Sequence, residues 1–262
     1  MGALLFDLDG VIYQAGKPIE GARQTIAWVR KKGIAHLFLT NTSSRPRSAL
    51  VERLARMGIE ADESQILTPS VVAADWLRRR HAGPVALFVP EATQAEFTGL
   101  PLLDPGDESG AAAVVVGFLG EQWDFARLNR AFRLLMEEPR PQLIALGMSR
   151  YWRASRGLSL DVAPFVVALE HAAGVQARVL GKPAPEFFRA ALETLGTPAE
   201  QTFMVGDDIR GDIEGAQRAG LQGLLVRTGK FRPTDLGLEV CPEGVLDSVA
   251  DLPAWWESRR GS

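Results

Sequence analysis

The strongest constraint in this sequence is an apolar run near its start that ends in two carboxylates. Residues Ala3 to Phe6 predict a short buried strand, and Asp7 and Asp9 follow it with one residue between them. A strand buried on both faces does not normally end in a pair of anions. Gly10 lets the backbone turn sharply, so both carboxylates are expected at the carboxyl end of the strand, where open α/β sheets bind ligands. Because close carboxylates repel each other, the pair predicts a bound cation or a shared proton.

Composition narrows the class of protein. A chain of 262 residues, 46% of them hydrophobic, can build one large domain or two of ordinary size. A formal net charge of -3 gives no electrostatic reason to expect nucleic acid or an anionic membrane as a partner. The single cysteine, Cys241, excludes an intramolecular disulfide, and no apolar run approaches the roughly 20 residues of a membrane span. We therefore expect a protein of the reducing cytoplasm.

A second predicted strand also ends in polar residues. Ile34 to Leu39 is apolar, and it is followed by five small polar residues, Thr40-Asn41-Thr42-Ser43-Ser44. Their hydroxyl, amide and backbone N–H groups can bind an oxyanion, helped by the N-terminus of a helix predicted from about Arg47 to Met57. An ordinary helix cap explains the Ser and Thr residues equally well. Between the two strands, Val11 to Pro18 is predicted to be an irregular connection.

The last third of the chain repeats the opening pattern. Lys182 stands in a Gly-Lys-Pro sequence before a helix predicted from Pro185 to Leu195. The buried-type strand Thr202 to Val205 then runs into Gly206-Asp207-Asp208-Ile209-Arg210-Gly211-Asp212, before a helix predicted from Ile213 to Ala219. Taken with the first strand, these carboxylates predict a magnesium-dependent phosphoryl-transfer site. A solvent-exposed lysine is the alternative for Lys182 taken alone.

The middle of the chain has α/β content of its own, bounded by loops rich in Gly and Pro. Predicted strands alternate there with helix-like segments, the last of them from Val162 to Ala173. The predicted fold class is therefore α/β, with a doubly wound parallel-sheet, Rossmann-like core formed by residues 1–80 and 180–262. A smaller α/β domain, residues 81–179, is predicted to be inserted into that core.

Four of these motifs together resemble those of the haloacid dehalogenase-like phosphohydrolases. They occur in the order of that family: Asp7-x-Asp9-Gly, Thr40, Lys182, and Gly-Asp207-x4-Asp212. About 140 residues separate Thr40 from Lys182, which resembles the cap placement of the group that includes NagD-type and 4-nitrophenyl phosphatases. Two segments, at Gly157–Phe165 and Gly206–Asp212, are most similar to the phospholysine phosphohistidine inorganic pyrophosphate phosphatase branch. The animal members of that branch carry Ser where this chain has Asp9.

The resemblance assigns a role to each motif residue. It implies that Asp7 is the nucleophile that forms an aspartyl-phosphate and that Asp9 is the general acid and base. It implies a Mg2+ ion held by the Asp7 carboxylate, the backbone carbonyl of Asp9 and the Asp207 carboxylate. The remaining implied roles are phosphate binding by Thr40, Asn41 and Lys182, and orientation of Lys182 or metal-bound water by Asp208 and Asp212.

The resemblance also implies partners. The substrate class is a small phosphorylated metabolite, a phosphoamino acid or pyrophosphate, and the inserted domain would act as a cap that closes over the site and sets specificity. Candidate segments for contact with the leaving group are Ser149–Trp152 and Gly157–Pro164. A homodimer formed through the cap is expected, as in related proteins.

The same residues bear on three alternative functions, two within this class and one outside it. A carbon–halogen hydrolase of the same fold needs no metal and lacks the second carboxylate, so Asp9 and Asp207 argue against it. A phosphonate hydrolase uses a cap lysine, and this chain has no lysine from Gly33 to Gly181. The alternative from a different class is a non-catalytic sensor or binding protein that retained the fold.

Overall fold

Short strands and helices alternate along the whole chain. The computed structural model describes residues 2–80, 83–154 and 156–259. The strands are β1 Ala3–Asp7, β2 Tyr13–Gln14, β3 Lys17–Pro18, β4 His36–Leu39, β5 Ile66–Leu67, β6 Val85–Phe88, β7 Ala113–Val116, β8 Gln142–Ala145, β9 Tyr151–Ala154, β10 Gly157–Leu160, β11 Arg178–Val179, β12 Thr202–Gly206, β13 Gln222–Val226 and β14 Gly244–Leu246. The helices are α1 Ala22–Lys31, α2 Arg47–Arg56, α3 Pro69–Arg79, α4 Glu91–Gln94, α5 Phe125–Leu135, α6 Ala163–Ala173, α7 Pro185–Leu195, α8 Gly215–Arg218 and α9 Leu252–Ser258.

The chain divides into two compact units. The first unit comprises Met1–Thr40, Arg47–Leu67 and Lys182–Ser262, and the second comprises Asn41–Pro46 and Thr68–Gly181. Helix α3 therefore groups with the second unit. Residue 81, at which the inserted domain was predicted to begin, lies outside the described residues.

The first unit is built on a six-stranded parallel sheet in the order β14-β13-β12-β1-β4-β5. Strand β1 lies inside it, with Phe6 in register with Val205 of β12 and Phe38 of β4. Every residue of β1 is buried, as expected for a parallel strand covered on both faces. The chain continues from β1 to β4 and β5 on one side, whereas β12, β13 and β14 lie on the other. The boundary between β1 and β12 is thus the point at which strand order reverses, where open α/β sheets bind ligands.

The second unit has a smaller parallel sheet in the order β11-β8-β7-β6. Helices α5 and α6 pack on its apolar core, and Asp124 caps α5 by accepting the backbone N–H of Arg127 at 2.7 Å. Strands β9 and β10 form a separate antiparallel hairpin. Two parallel sheets with helices confirm the predicted α/β, Rossmann-like fold class. No helix within the described ranges is both long enough and apolar enough to span a membrane.

Two local predictions are wrong. The segment Val11 to Pro18 is not wholly irregular, because β2 and β3 pair within it as a short antiparallel hairpin. The helix predicted to begin at Ile213 begins at Gly215 instead, because Ile209–Glu214 forms a π-helical turn. Asp208 caps that turn, because its Oδ1 accepts the backbone N–H groups of Arg210 and Gly211, at 3.1 and 2.9 Å.

Candidate active site

The carboxyl ends of β1 and β12 hold the acidic residues that the sequence singled out. Asp7 is the last residue of β1, and Asp207 directly follows β12, the neighbouring strand. Both side chains are buried. Since parallel strands end at the same edge of a sheet, the two motifs that are 200 residues apart in the chain meet at the point of strand-order reversal.

A buried lysine lies between two of the carboxylates. Lys182 Nζ donates to Asp7 Oδ1 at 2.5 Å and is 2.7 Å from Asp212 Oδ1. All three side chains are at most 10% exposed, so the ion pairs are shielded from solvent screening. Asp212 also accepts the backbone N–H of Asp208 at 3.2 Å, which fixes its orientation. The π-helical turn therefore serves the site, because it carries Asp212 to Lys182.

The Asp207 carboxylate is held between two glycines. A Cβ atom at Gly10 or at Gly229 would overlap Asp207 Oδ2, and both glycines have a positive φ. The backbone N–H of Lys230 donates to the same oxygen at 2.6 Å. The other oxygen, Asp207 Oδ1, is buried and has no hydrogen-bond partner among the described residues. An orphaned buried carboxylate oxygen is costly unless something outside the chain satisfies it.

The site is short of positive charge. Burial raises the pKa of Asp7 to about 7, with Lys182 opposing the shift and Asp212 adding to it. Burial, followed by the Asp7 and Asp212 charges, raises the pKa of Asp207 to about 8. Burial lowers the pKa of Lys182, but the Asp212 and Asp7 carboxylates outweigh it, so that the pKa is raised and the ammonium stays charged. Three buried carboxylates thus face one buried ammonium.

This arrangement fits a divalent metal ion. Carboxylate oxygens of Asp7, Asp207 and Asp212, one from each residue, lie within 4.8 Å of one another. A hard cation takes oxygen ligands of this kind, and it would satisfy the orphaned Asp207 Oδ1 and the missing positive charge together. Which metal binds, and whether the Asp9 carbonyl is a ligand, stay predictions.

The other predicted site residues take different positions. Asp9 is exposed, and its backbone forms an isolated β-bridge with the backbone of Tyr13. Thr40 is buried directly after β4, with its backbone N–H donating to Leu67 O at 3.2 Å. Asn41 begins the segment that groups with the second unit. The Asp208 carboxylate caps the π-helical turn and lies 3.2 Å from Lys230 Nζ.

The residues that follow β13 also belong to the site, although they were not predicted. Thr228 Oγ1 donates to Gly10 O, Gly229 packs against Asp207, and Lys230 contributes the N–H group described above. They begin two residues after the end of the strand Gln222–Val226. The rule that drew attention to Asp7, Thr40 and Asp207, polar residues at the end of a buried strand, would have found them too.

Comparisons with known proteins agree with this geometry. A family model described as haloacid dehalogenase-like hydrolase matches residues 4–100, and a related one, described as HAD-hydrolase-like, matches residues 179–252. The human phospholysine phosphohistidine inorganic pyrophosphate phosphatase is 39% identical over 253 residues, which cover 95% of this chain and 91% of that protein.

Two solved structures share the fold over nearly their whole length. The p-nitrophenyl phosphatase from Archaeoglobus fulgidus superposes with a TM-score of 0.87 at 27% identity, covering 97% of this chain and 98% of that one. NagD from E. coli K-12 superposes with a TM-score of 0.86 at 25% identity, covering 96% and 98%. The resemblance inferred from the four motifs is confirmed, and the chain belongs to the haloacid dehalogenase-like hydrolase family.

Proposed function

We propose that this chain is a magnesium-dependent phosphatase that hydrolyses phosphate monoesters, phosphoamidates or pyrophosphate through an aspartyl-phosphate on Asp7. One observation carries the proposal. Asp7 and Lys182 form a buried ion pair, and Oδ1 of the Asp207 carboxylate is buried without a hydrogen-bond partner among the described residues. Phosphoryl transfer needs a nucleophile and neutralisation of the phosphoryl oxygens, and this site offers both. The family supports the hydrolase class, and its members named above include phosphatases.

The chain's own residues account for each proton and bond in the proposed reaction. An Asp7 carboxylate oxygen attacks phosphorus, the bond from phosphorus to the leaving oxygen breaks, and Asp9 gives its proton to that oxygen. Asp9 then takes a proton from the water that attacks the aspartyl-phosphate, which releases phosphate and restores Asp7. Lys182 lowers the repulsion between the anionic substrate and Asp7. A bound Mg2+, held by Asp7 and Asp207, would neutralise charge on the phosphoryl oxygens.

The remaining roles extend the proposal beyond the acidic cluster. Thr40 and Asn41 would hold a phosphate oxygen, and Asp212 and Asp208 would orient Lys182 or water near the metal. The second unit would act as the cap, with the β9–β10 hairpin as the candidate contact for the leaving group. The exposed cysteine, Cys241, is compatible with the reducing cytoplasm in which we place the protein.

Metal removal tests the proposal. Activity on 4-nitrophenyl phosphate should disappear with a chelator and return with added magnesium, whereas calcium, which is larger and less strict in its geometry, should restore less. Full activity in buffer shown to be metal-free by elemental analysis would contradict the metal assignment. No turnover in a screen of phosphorylated metabolites, phosphoamino acids and pyrophosphate with magnesium would favour a non-catalytic sensor instead.

We also propose a homodimer formed through the second unit. Tyr151, Leu158 and Leu160 lie on one face of the β9–β10 hairpin, because Tyr151 pairs with Leu160 and Leu158 is two residues from it. Their side chains are 54%, 68% and 58% exposed, which is unusual for apolar residues clustered on one face. Light scattering at micromolar concentration should show a dimer, and Leu158→Lys should weaken it. A monomer in both proteins, with or without magnesium, would contradict the dimer.

A further inference from the structure

Arg53 of α2 lies beside the loop that carries Asp9. Its guanidinium carbon is 3.9 Å from the centroid of the Tyr13 ring, within the range of a cation–π contact. Tyr13 is buried and is tied to the loop on both sides of Asp9: its N–H donates to Leu8 O at 3.1 Å, and its carbonyl accepts the N–H of Gly10 at 2.7 Å. One aromatic ring therefore separates the Arg53 guanidinium from the backbone of the Asp9 loop.

The guanidinium of Arg53 has no acidic side chain within ion-pair distance among the described residues. No carboxylate of the described chain lies within 4.0 Å of its guanidinium, whereas Arg30 pairs with Glu60 at 2.9 Å. Arg53 is half-buried, so its charge is screened less than that of a fully exposed side chain.

The position of Arg53 beside the Asp9 loop indicates which part of a substrate it would contact. A general acid must lie within hydrogen-bond reach of the oxygen that it protonates. Under the proposed function that oxygen belongs to the leaving group, so a cation beside Asp9 lies on the leaving-group side of the scissile bond. The positive charge needed for the transferred phosphoryl group is supplied separately by Lys182, on the buried side of Asp7.

We propose that Arg53, resting on Tyr13, is a specificity-determining residue that binds a second anionic group, a carboxylate or a phosphate, carried by the leaving group of the substrate. A planar guanidinium binds either group through two parallel hydrogen bonds. The inference rests on the proposed phosphatase function and narrows it to substrates that carry two anionic groups. It leaves Asp7, Lys182 and Asp207 in the roles already given.

Matched esters test this inference. Phenyl phosphate and 3-carboxyphenyl phosphate release phenols of similar acidity and differ by one carboxylate, and inorganic pyrophosphate supplies a second phosphate. Wild-type protein should have a higher kcat/KM on at least one of the two substrates with a second anionic group than on phenyl phosphate. Arg53→Gln should lower kcat/KM on that substrate by about 10- to 100-fold, as expected for a charge-assisted hydrogen bond, and change kcat/KM on phenyl phosphate by less than about 3-fold.

Two further variants separate charge from scaffold effects. Arg53→Lys, which keeps the charge but not the fork, should lose part of the preference, and it tests the inference even where Arg53→Gln does not fold. Arg56→Gln removes an exposed arginine from the same helix and should leave the preference unchanged. A loss of kcat/KM on 3-carboxyphenyl phosphate without a loss on pyrophosphate would identify a carboxylate as the bound group. A loss on pyrophosphate alone would identify a phosphate.

Two results would overturn the inference. Equal losses on all substrates in Arg53→Gln and Arg53→Lys would show that Arg53 supports the Asp9 loop rather than binding substrate. An unchanged preference in both variants, with phenyl phosphate still hydrolysed, would show that the guanidinium does not meet the leaving group, and would leave the proposed function standing. Failure of the wild-type protein to hydrolyse any of these substrates would overturn the proposed function and this inference together.

Discussion

The two parallel sheets of this protein share an architecture and differ in the residues at the ends of their strands. In the first unit, β1 ends in Asp7, and Thr40 and Asp207 directly follow β4 and β12. In the second unit the four strands of the parallel sheet are each followed by two residues that are apolar or glycine, at Val89-Pro90, Gly117-Phe118, Leu146-Gly147 and Leu180-Gly181. Both sheets offer an edge where strands end together, but one edge alone carries groups that can bind a phosphate or a cation. Architecture supplies the place for a site, and strand-end side chains decide whether chemistry occurs there.

Substitution at one strand end in each sheet tests this difference and has the largest expected effect. Asp7→Asn should lower turnover of 4-nitrophenyl phosphate by at least about 10⁴-fold, because it removes the nucleophile and a charged ligand. Phe118→Leu, after β7, should change the rate by less than about 10-fold. Comparable losses in the two variants, measured with folded protein, would break the comparison.

Asp9→Asn should have the next largest effect, and the loss should depend on the leaving group. A general acid contributes about 10²- to 10⁴-fold, and an alkyl phosphate needs protonation of its alkoxide more than 4-nitrophenyl phosphate does. Magnesium binding, followed by calorimetry, should survive because the backbone carbonyl remains. Equal losses on the two esters in single-turnover formation of the aspartyl-phosphate would show that Asp9 is not the general acid.

A pair of glycine substitutions tests whether the loop after β13 holds the Asp207 carboxylate in place. Gly229→Ala forces a Cβ against Asp207 Oδ2, and displacement of that carboxylate should lower turnover by about 100-fold. Gly16→Ala is the matched control, since Gly16 also has a positive φ but no atom within 4 Å of the added Cβ. It should cost stability alone, about 1–2 kcal/mol. Equal rates in the two variants would contradict the proposed role of Gly229.

A substitution at the opposite edge of the same sheet should change stability and leave catalysis unchanged. His36 begins β4, and burial lowers its pKa. Its Nδ1 lies 3.0 Å from Ile34 O and its Nε2 lies 3.4 Å from Gln65 Nε2, which suits a neutral imidazole that donates from Nδ1.

The sign of the pH effect follows from that lowered pKa. The unfolded chain binds the His36 proton more readily, so this contribution to stability is complete above about pH 6.5 and is lost as the pH falls through 6.5 towards the folded-state pKa. In urea denaturation between pH 7 and 5, His36→Gln should lose less stability than the wild type, with turnover at pH 7 unchanged. His171→Gln, at an exposed position on α6, is the control. If the unfolding free energy of His36→Gln fell with pH as steeply as that of the wild type, His36 would not be the source of the pH effect.

The sequence predicted the parts of the site that depend on local pattern. Apolar runs that end in carboxylates located Asp7 and Asp207, and the parallel sheet then brings them to one edge. The Asp207 cradle was not predictable in this way, because Gly10 and Gly229 meet only when β1 and β13 are placed on either side of β12. The π-helical turn was not predictable from local pattern either, because it depends on the Asp208 carboxylate accepting the backbone N–H groups of Arg210 and Gly211.

Chemical trapping of the intermediate tests the central claim most directly. Protein mixed with 4-nitrophenyl phosphate and magnesium, quenched within one turnover and reduced with borohydride, should yield homoserine at position 7 by peptide mass spectrometry, since borohydride reduces an acyl phosphate to an alcohol. The same treatment without substrate, or of Asp7→Asn with substrate, should leave position 7 unreduced. Homoserine at position 9 or 207, or no reduced residue during steady turnover, would contradict the aspartyl-phosphate on Asp7.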